Sequence, residues 1–245
     1  MSLSRDELHV WRASLDPGAQ AVGMFWPLLA ADESERARRF RFERDRSRYV
    51  VGRGLLRVLL GRYLAADPRQ IRFAYGANEK PRLAGAGPRF NLSHSGSLAL
   101  FAFSCDVELG IDIECDELDL ARERIPERFF SPAEVRALRA LPRSLQSRAF
   151  LTCWTRKEAF IKARGDGLSL ALDSFDVTLV PGQPVEILRT AWSEGEPTEW
   201  SLMDLSDPQY GYIAAVACRG WSWRAIRRGV AKIVDNEIVL DQEEA

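Results

Sequence analysis

With 245 residues and 46% hydrophobic content, the chain can bury a substantial core. That excludes disorder as its default and fits one large domain or two of about 110 residues. The 34 basic and 35 acidic residues nearly cancel, so a whole-molecule field that would gather nucleic acid is excluded and any charge argument must be local.

Residues 1–16 carry scattered charges without a signal-peptide core, and no apolar run approaches the ~18 residues of a membrane span. The four cysteines form no CxxC pair, and only His9 and His94 could supplement them as metal ligands. The expectation is a soluble, cytoplasmic protein with free thiols, no zinc site and no membrane or nucleic-acid partner. Thirty of the basic residues are arginine and four are lysine: Lys80, Lys157, Lys162 and Lys232. In such a chain a retained lysine hints that a compact ammonium is wanted in place of a planar fork.

Asp32 followed by Glu35 predicts a capped, short basic helix. Asp45 predicts the cap of a second helix, which carries Val50, Leu55, Leu59 and Tyr63 and stops before Asp67-Pro68. Short strands are expected at 71–75, 89–92, 98–104 and 108–114, separated by Gly, Pro and Asn. Ser131-Pro132-Ala133-Glu134 then opens a helix, and a longer helix is expected over about 145–164, ending at Gly165. Strands follow at 175–180, 200–203 and 212–217. Helices followed by sheet, twice, predict two similar α+β lobes, 1–107 and 108–225, with a tail over 226–245 whose role the sequence does not give.

Three segments carry candidate chemistry. In Glu108-Leu109-Gly110-Ile111-Asp112-Ile113-Glu114, alternation on a strand turns Leu109, Ile111 and Ile113 to a core. Asp112 and Glu114 then lie ~7 Å apart on the other face. Two such carboxylates can converge on a hard cation that holds a phosphate. The competing reading is an ordinary strand with a solvated acidic face, to which Asp106, Asp116, Glu117 and Asp119 would add.

In Trp154-Thr155-Arg156-Lys157-Glu158-Ala159-Phe160-Ile161-Lys162, residues 154, 158 and 162 share one column of a helix. Glu158 could complete a metal site and Lys162 meet a phosphate, or the two could be a surface pair worth ~0.3–0.5 kcal/mol. Phe90-Asn91-Leu92-Ser93-His94-Ser95-Gly96 ends a strand in small polar residues suited to wrapping an anion, or is a hairpin turn with an exposed imidazole. Upstream, ten arginines face four acids between Glu33 and Arg62, either a phosphate-binding face or a solvated one.

Taken in order, Lys80-Pro81, Phe90 to Gly96, Gly110 to Glu114, Trp154 to Ala163 and Gly165-Asp166-Gly167-Leu168 resemble the Sfp-type 4′-phosphopantetheinyl transferases. The resemblance implies a pseudo-dimer of two α+β lobes that binds coenzyme A in the cleft between them, both halves lying on one chain and hence in a monomer. It also implies Mg²⁺ held by Asp112, Glu114 and Glu158, with Lys162 on the phosphates. The nucleotide and its 3′-phosphate would meet Lys80, Ser93 and His94, with Arg53, Arg36 and Arg48 helping. The implied activity moves the phosphopantetheine arm of coenzyme A to a serine of an apo acyl or peptidyl carrier protein, with Glu158 and Lys162 as the catalytic pair. A homologue that only binds, or a nucleic-acid binder using Arg36 to Arg62, are the competing functions. The intact carboxylates argue against the first, and the near-zero net charge against the second.

Overall fold

The computed structural model describes residues 1–76, 80–115, 125–165, 167–220, 223–234 and 237–242. Asp116, Glu117, Asp119 and Asp166, named above, lie outside them. The chain is mixed α and β, with two compact units: residues 1–90, 97–106 and 223–245 form one, and residues 91–96 and 107–222 the other.

The first unit is built from β1 (Glu7–Ser14), α1 (Ala19–Phe25), α2 (Ala31–Arg38), α3 (Glu43–Leu64), β2 (Phe73–Tyr75), β3 (Pro81–Leu83), β4 (Arg89–Ser95) and β5 (Leu98–Ser104). The second holds β6 (Leu109–Cys115), α4 (Ile125–Phe129), α5 (Pro132–Ala140), α6 (Arg143–Arg164), β7 (Phe175–Val177), β8 (Ile187–Thr190), β9 (Trp200–Asp204) and β10 (Tyr212–Arg219). Then β11 (Ala225–Val234) and β12 (Glu237–Gln242) complete the first unit. From Asn91 onward β4 counts with the second.

In the first unit the sheet runs β12-β11-β1-β5-β4, with β1 parallel to β11 and antiparallel to β5. Of the segment beyond Arg227, to which the sequence assigned no role, residues 228–234 thus lie in β11 and 237–242 in β12. Glu7 Oε1 accepts a bond from Arg227 Nε at 2.5 Å, tying β1 to β11. That bond, with the Ser4 N–H, holds the Glu7 carboxyl down at about 2. A carboxyl lowered by folding contributes stability that is present above its unfolded value near 4.5 and is lost as pH falls toward 2. Arg227 is more than half exposed, so the contribution is ~1 kcal/mol or less. Glu7→Gln should therefore show a shallower decline in melting temperature between pH 5 and pH 2.5 than the wild type, and identical acid profiles would remove Glu7 from the account.

The helix expected after Asp32 begins two residues earlier, at Ala31, and the residue that bonds back is Glu33, whose Oε2 accepts the Ala30 N–H at 2.8 Å. Asp45 lies inside the first turn of α3, which starts at Glu43 and ends at Leu64 on the left-handed Ala65, before Asp67-Pro68 as expected. Glu33 is 2% exposed and also receives Arg53 Nε at 2.5 Å and Arg57 Nε at 2.7 Å. The buried carboxylate pairs with both buried guanidiniums, and removing it would leave two buried positive charges without their shared partner.

In the second unit β10 lies between β6 and β9, and α6 packs on β6 and β10. The core gathers Phe150, Leu151, Cys153, Phe160 and Ala163 of α6 against Phe175, Val177, Leu202, Ile213, Ala215 and Ala217. Ser131 caps α5 by accepting the Glu134 N–H, while Glu134 bonds the Ser131 N–H in return. Lys157, fully buried, reaches Glu134 Oε1 at 2.8 Å and the carbonyls of Leu172 and Phe175. Here a compact ammonium anchors α6 to α5 and to the chain entering β7. Among the described residues no helix is long and apolar enough to cross a membrane.

Candidate active site

On β6, Ile213, Ala215 and Ala217 of β10 stand opposite Glu114, Asp112 and Gly110. Cross-strand partners share a face, and those three β10 residues belong to the core under α6. Asp112 and Glu114 consequently lie on the helix-covered face. A solvated acidic face is overturned: Asp112 is 4% exposed, because β6 is covered on both sides and Leu109, Ile111 and Ile113 are buried too.

Asp112 Oδ1 accepts the Ser93 hydroxyl at 2.8 Å and the Lys162 ammonium at 2.6 Å, and Lys162 also donates to Ser93 Oγ at 2.9 Å. Lys162 therefore reaches across to β6 and β4, which a pair confined to the helix surface would not do. Glu114 Oε2 accepts the Ser95 hydroxyl at 2.8 Å. Burial pushes the Glu158 carboxyl up, the negative charge of Asp112 adds to this, Lys162 opposes it, and Glu114 raises it further. Burial likewise raises Glu114, against the Ser95 hydrogen bond and with the Asp112 charge. The three carboxylates thus feel one another electrostatically.

The residues present fit a hard cation. Asp112 Oδ2 is buried and has no hydrogen-bond partner among the described residues, a costly arrangement for a charged oxygen that a cation relieves. All the neighbouring ligands are carboxylate oxygens, the donor type Mg²⁺ takes. Among the described residues no three His, Cys, Asp or Glu side chains stand as a preformed group that could hold a metal ion.

The strand β4 continues through Ser95 where a turn was expected after Leu92, and Gly96, at φ 57°, begins the turn. Alternation buries Asn91, Ser93 and Ser95 and exposes His94 between them. Ser93, Asp112, Glu114, Glu158 and Lys162 are thereby brought together in one unit. The arginines of the first unit stand in their own networks: Arg48 forms a bidentate pair with Asp16 at 2.8 and 2.6 Å, and Arg53 bonds Glu33 and Tyr75. Arg36 is exposed, 5.8 Å from the Tyr49 ring centroid, and Lys80 is half-buried just before β3. Sequence reasoning missed Ser95 and Asn91 as site residues; their signal was period-two polarity on a strand read as too short.

A family model described as 4′-phosphopantetheinyl transferase superfamily matches residues 108–217, and one described as 4′-phosphopantetheinyl transferase, N-terminal, matches residues 13–106. Over 228 residues the chain is 39% identical to the 4′-phosphopantetheinyl transferase HetI of Nostoc sp., covering 91% of this chain and 92% of that protein. The chain belongs to the 4′-phosphopantetheinyl transferase superfamily. It is also 39% identical over 158 residues to the transferase Sfp of Bacillus subtilis, covering 63% of this chain and 68% of that protein. With the human L-aminoadipate-semialdehyde dehydrogenase-phosphopantetheinyl transferase it shares 30% identity over 204 residues, 76% of this chain and 66% of the other. Within this transferase superfamily chain, the C-terminal match spans Asp112, Glu114, Glu158 and Lys162, and the N-terminal match spans Ser93 and Ser95.

Proposed function

We propose that this chain transfers the 4′-phosphopantetheine arm of coenzyme A to a serine hydroxyl of an apo carrier protein, giving holo carrier protein and 3′,5′-ADP. The observation that carries this reading is the meeting of Asp112, Glu114, Glu158 and Lys162 in a chain that both family models match. Asp112, Glu114 and Glu158 would hold Mg²⁺, which when bound supplies positive charge against the pyrophosphate of coenzyme A.

Lys162 contributes an ammonium at the same place, poised on Asp112 and Ser93, and in the transfer neutralises charge developing on the phosphates. The carrier serine oxygen forms a bond to the phosphorus that carries pantetheine, and the bond from that phosphorus to the 3′,5′-ADP oxygen breaks. The serine proton passes to Glu158, directly or through a water. Burial, with the charges of Asp112 and Glu114 adding to it and Lys162 opposing, raises the Glu158 carboxyl from its ordinary value.

Lys80, Ser93, His94, Arg36, Arg48 and Arg53 are proposed to contact the nucleotide and its 3′-phosphate. A phosphate at Arg48 or Arg53 would compete with Asp16 or Glu33 for the guanidinium. The protein is further proposed to act as a cytoplasmic monomer, with no nucleic-acid partner.

The test is mass spectrometry of a panel of apo acyl and peptidyl carrier proteins incubated with the chain, coenzyme A and Mg²⁺. One phosphopantetheine should be added per carrier, and none by Asp112→Ala or in excess chelator. A panel left wholly unmodified would defeat the transferase reading, and full transfer in chelator would defeat the metal assignment alone.

A further inference from the structure

Side chains of β4 bridge to β6, although the two strands lie in different sheets. Three alternate residues make the bridge. Asn91 Oδ1 accepts the Ile111 N–H at 2.8 Å, Ser93 reaches Asp112, and Ser95 reaches Glu114. The last two contacts both span nineteen positions, so the strands run the same way and their side chains stay in step. Two serines two residues apart thus meet two carboxylates two residues apart.

Ser95 is fixed more tightly than its one contact with Glu114 suggests. The Cys115 N–H donates to Ser95 Oγ at 3.1 Å, occupying a lone pair and leaving the hydroxyl hydrogen for Glu114 Oε2. The Cys115 thiol donates to the Ser95 carbonyl at 3.3 Å, so strand and side chain are held from both ends of the same residue. Ser95 is 9% exposed, and a free glutamate on the neighbouring strand would otherwise choose among several rotamers beside a like charge. Ser93 does similar work for Asp112 but also receives Lys162, so its substitution would disturb two proposed functions at once.

We propose that Ser95 is a positioning residue that aims the Glu114 carboxylate at the divalent cation, while Asn91 sets the register that makes this possible. The proposal rests on Asp112, Glu114 and Glu158 being the cation ligands. Partners of this kind, one shell outside a metal, typically change affinity 10–100-fold when removed.

The experiment measures Mn²⁺ binding to the purified protein by the electron paramagnetic resonance of free Mn²⁺, beside thermal unfolding in chelator. Wild type, Ser95→Ala, Ser95→Thr and Asp112→Asn are compared. Ser95→Ala should raise the Mn²⁺ dissociation constant at least tenfold with a melting temperature within about 2 °C of wild type. Ser95→Thr, which keeps the hydroxyl, should stay within about threefold of wild type on the same scale. Wild-type affinity in Ser95→Ala beside loss in Asp112→Asn would overturn the role of Ser95 and leave the cation site standing. Weakened binding in both Ser95 variants, tracking a fall in melting temperature, would make Ser95 a packing residue and overturn it too. No Mn²⁺ binding by the wild type would remove the cation reading, and the proposal with it.

Discussion

Glu158→Gln is expected to reduce carrier modification at least a hundredfold while leaving the melting temperature unchanged or slightly raised. The two outcomes separate because the carboxylate is held where a charge is disfavoured: burial comes first, and Asp112 and then Glu114 repel it, with only Lys162 in opposition. Removing that charge relieves repulsion in the fold. The same change removes a proposed ligand and the proposed acceptor of the serine proton, and general-base catalysis alone contributes roughly 10²–10⁴-fold. Glutamine is nearly isosteric, so misfolding is a poor account of lost turnover. Were Glu158 only one half of a surface helix pair, the substitution would cost ~0.5 kcal/mol or less and leave transfer intact. Thermal unfolding in chelator, beside carrier modification at matched Mg²⁺ on the same preparations, decides it. Turnover at the wild-type rate would end the catalytic assignment.

Gly110→Ala should damage both stability and transfer. A β-carbon at Gly110 would lie 2.2 Å from the Ala159 carbonyl oxygen and 2.3 Å from the Ala163 nitrogen, both backbone atoms of α6. No rotamer change can relieve a contact with a helix backbone, so α6 must move away from β6. Overpacking of this kind costs typically ~1–3 kcal/mol, and for a chain of this size that lowers the melting temperature by roughly 2–12 °C. The catalytic consequence is larger, because Glu158 flanks the crowded turn and Lys162 closes it. A displacement of about 1 Å in positioning groups can cost ~10²-fold in rate. Calorimetry and the carrier assay should show both losses. A variant that melts and turns over as the wild type would mean that α6 and β6 do not pack as closely as described.

Much of this was legible in the chain. Helices α3 and α6 follow from their apolar content and from stop signals at Asp67-Pro68 and Gly165. The capping box at Ser131 is local chemistry, and local chemistry reads out. Five ordered segments carried the resemblance to the family, and the alternation of β6 put Asp112 and Glu114 on one face. The retained lysines gave a partial signal: Lys157 and Lys162 sit where a compact ammonium meets several oxygens, whereas Lys232 pairs with Asp241 on the surface.

Tertiary structure alone decided the rest. Strand β1 pairs with β11, from Glu7 opposite Ala225 onward, and no local period announces a partner at the far end of the chain. The need for glycine at position 110 is likewise invisible in a strand pattern, since it arises from the backbone of a helix some fifty residues away. The face that carries the acids reads as solvent-facing because alternation reports that two faces differ and cannot say what covers each. Here α6 covers it, burying Asp112 and bringing Lys162 against its Oδ1. Ser95 and Asn91 look like turn residues by composition. They become holders of β6 because β4 and β6 run in step, a register written in neither strand by itself.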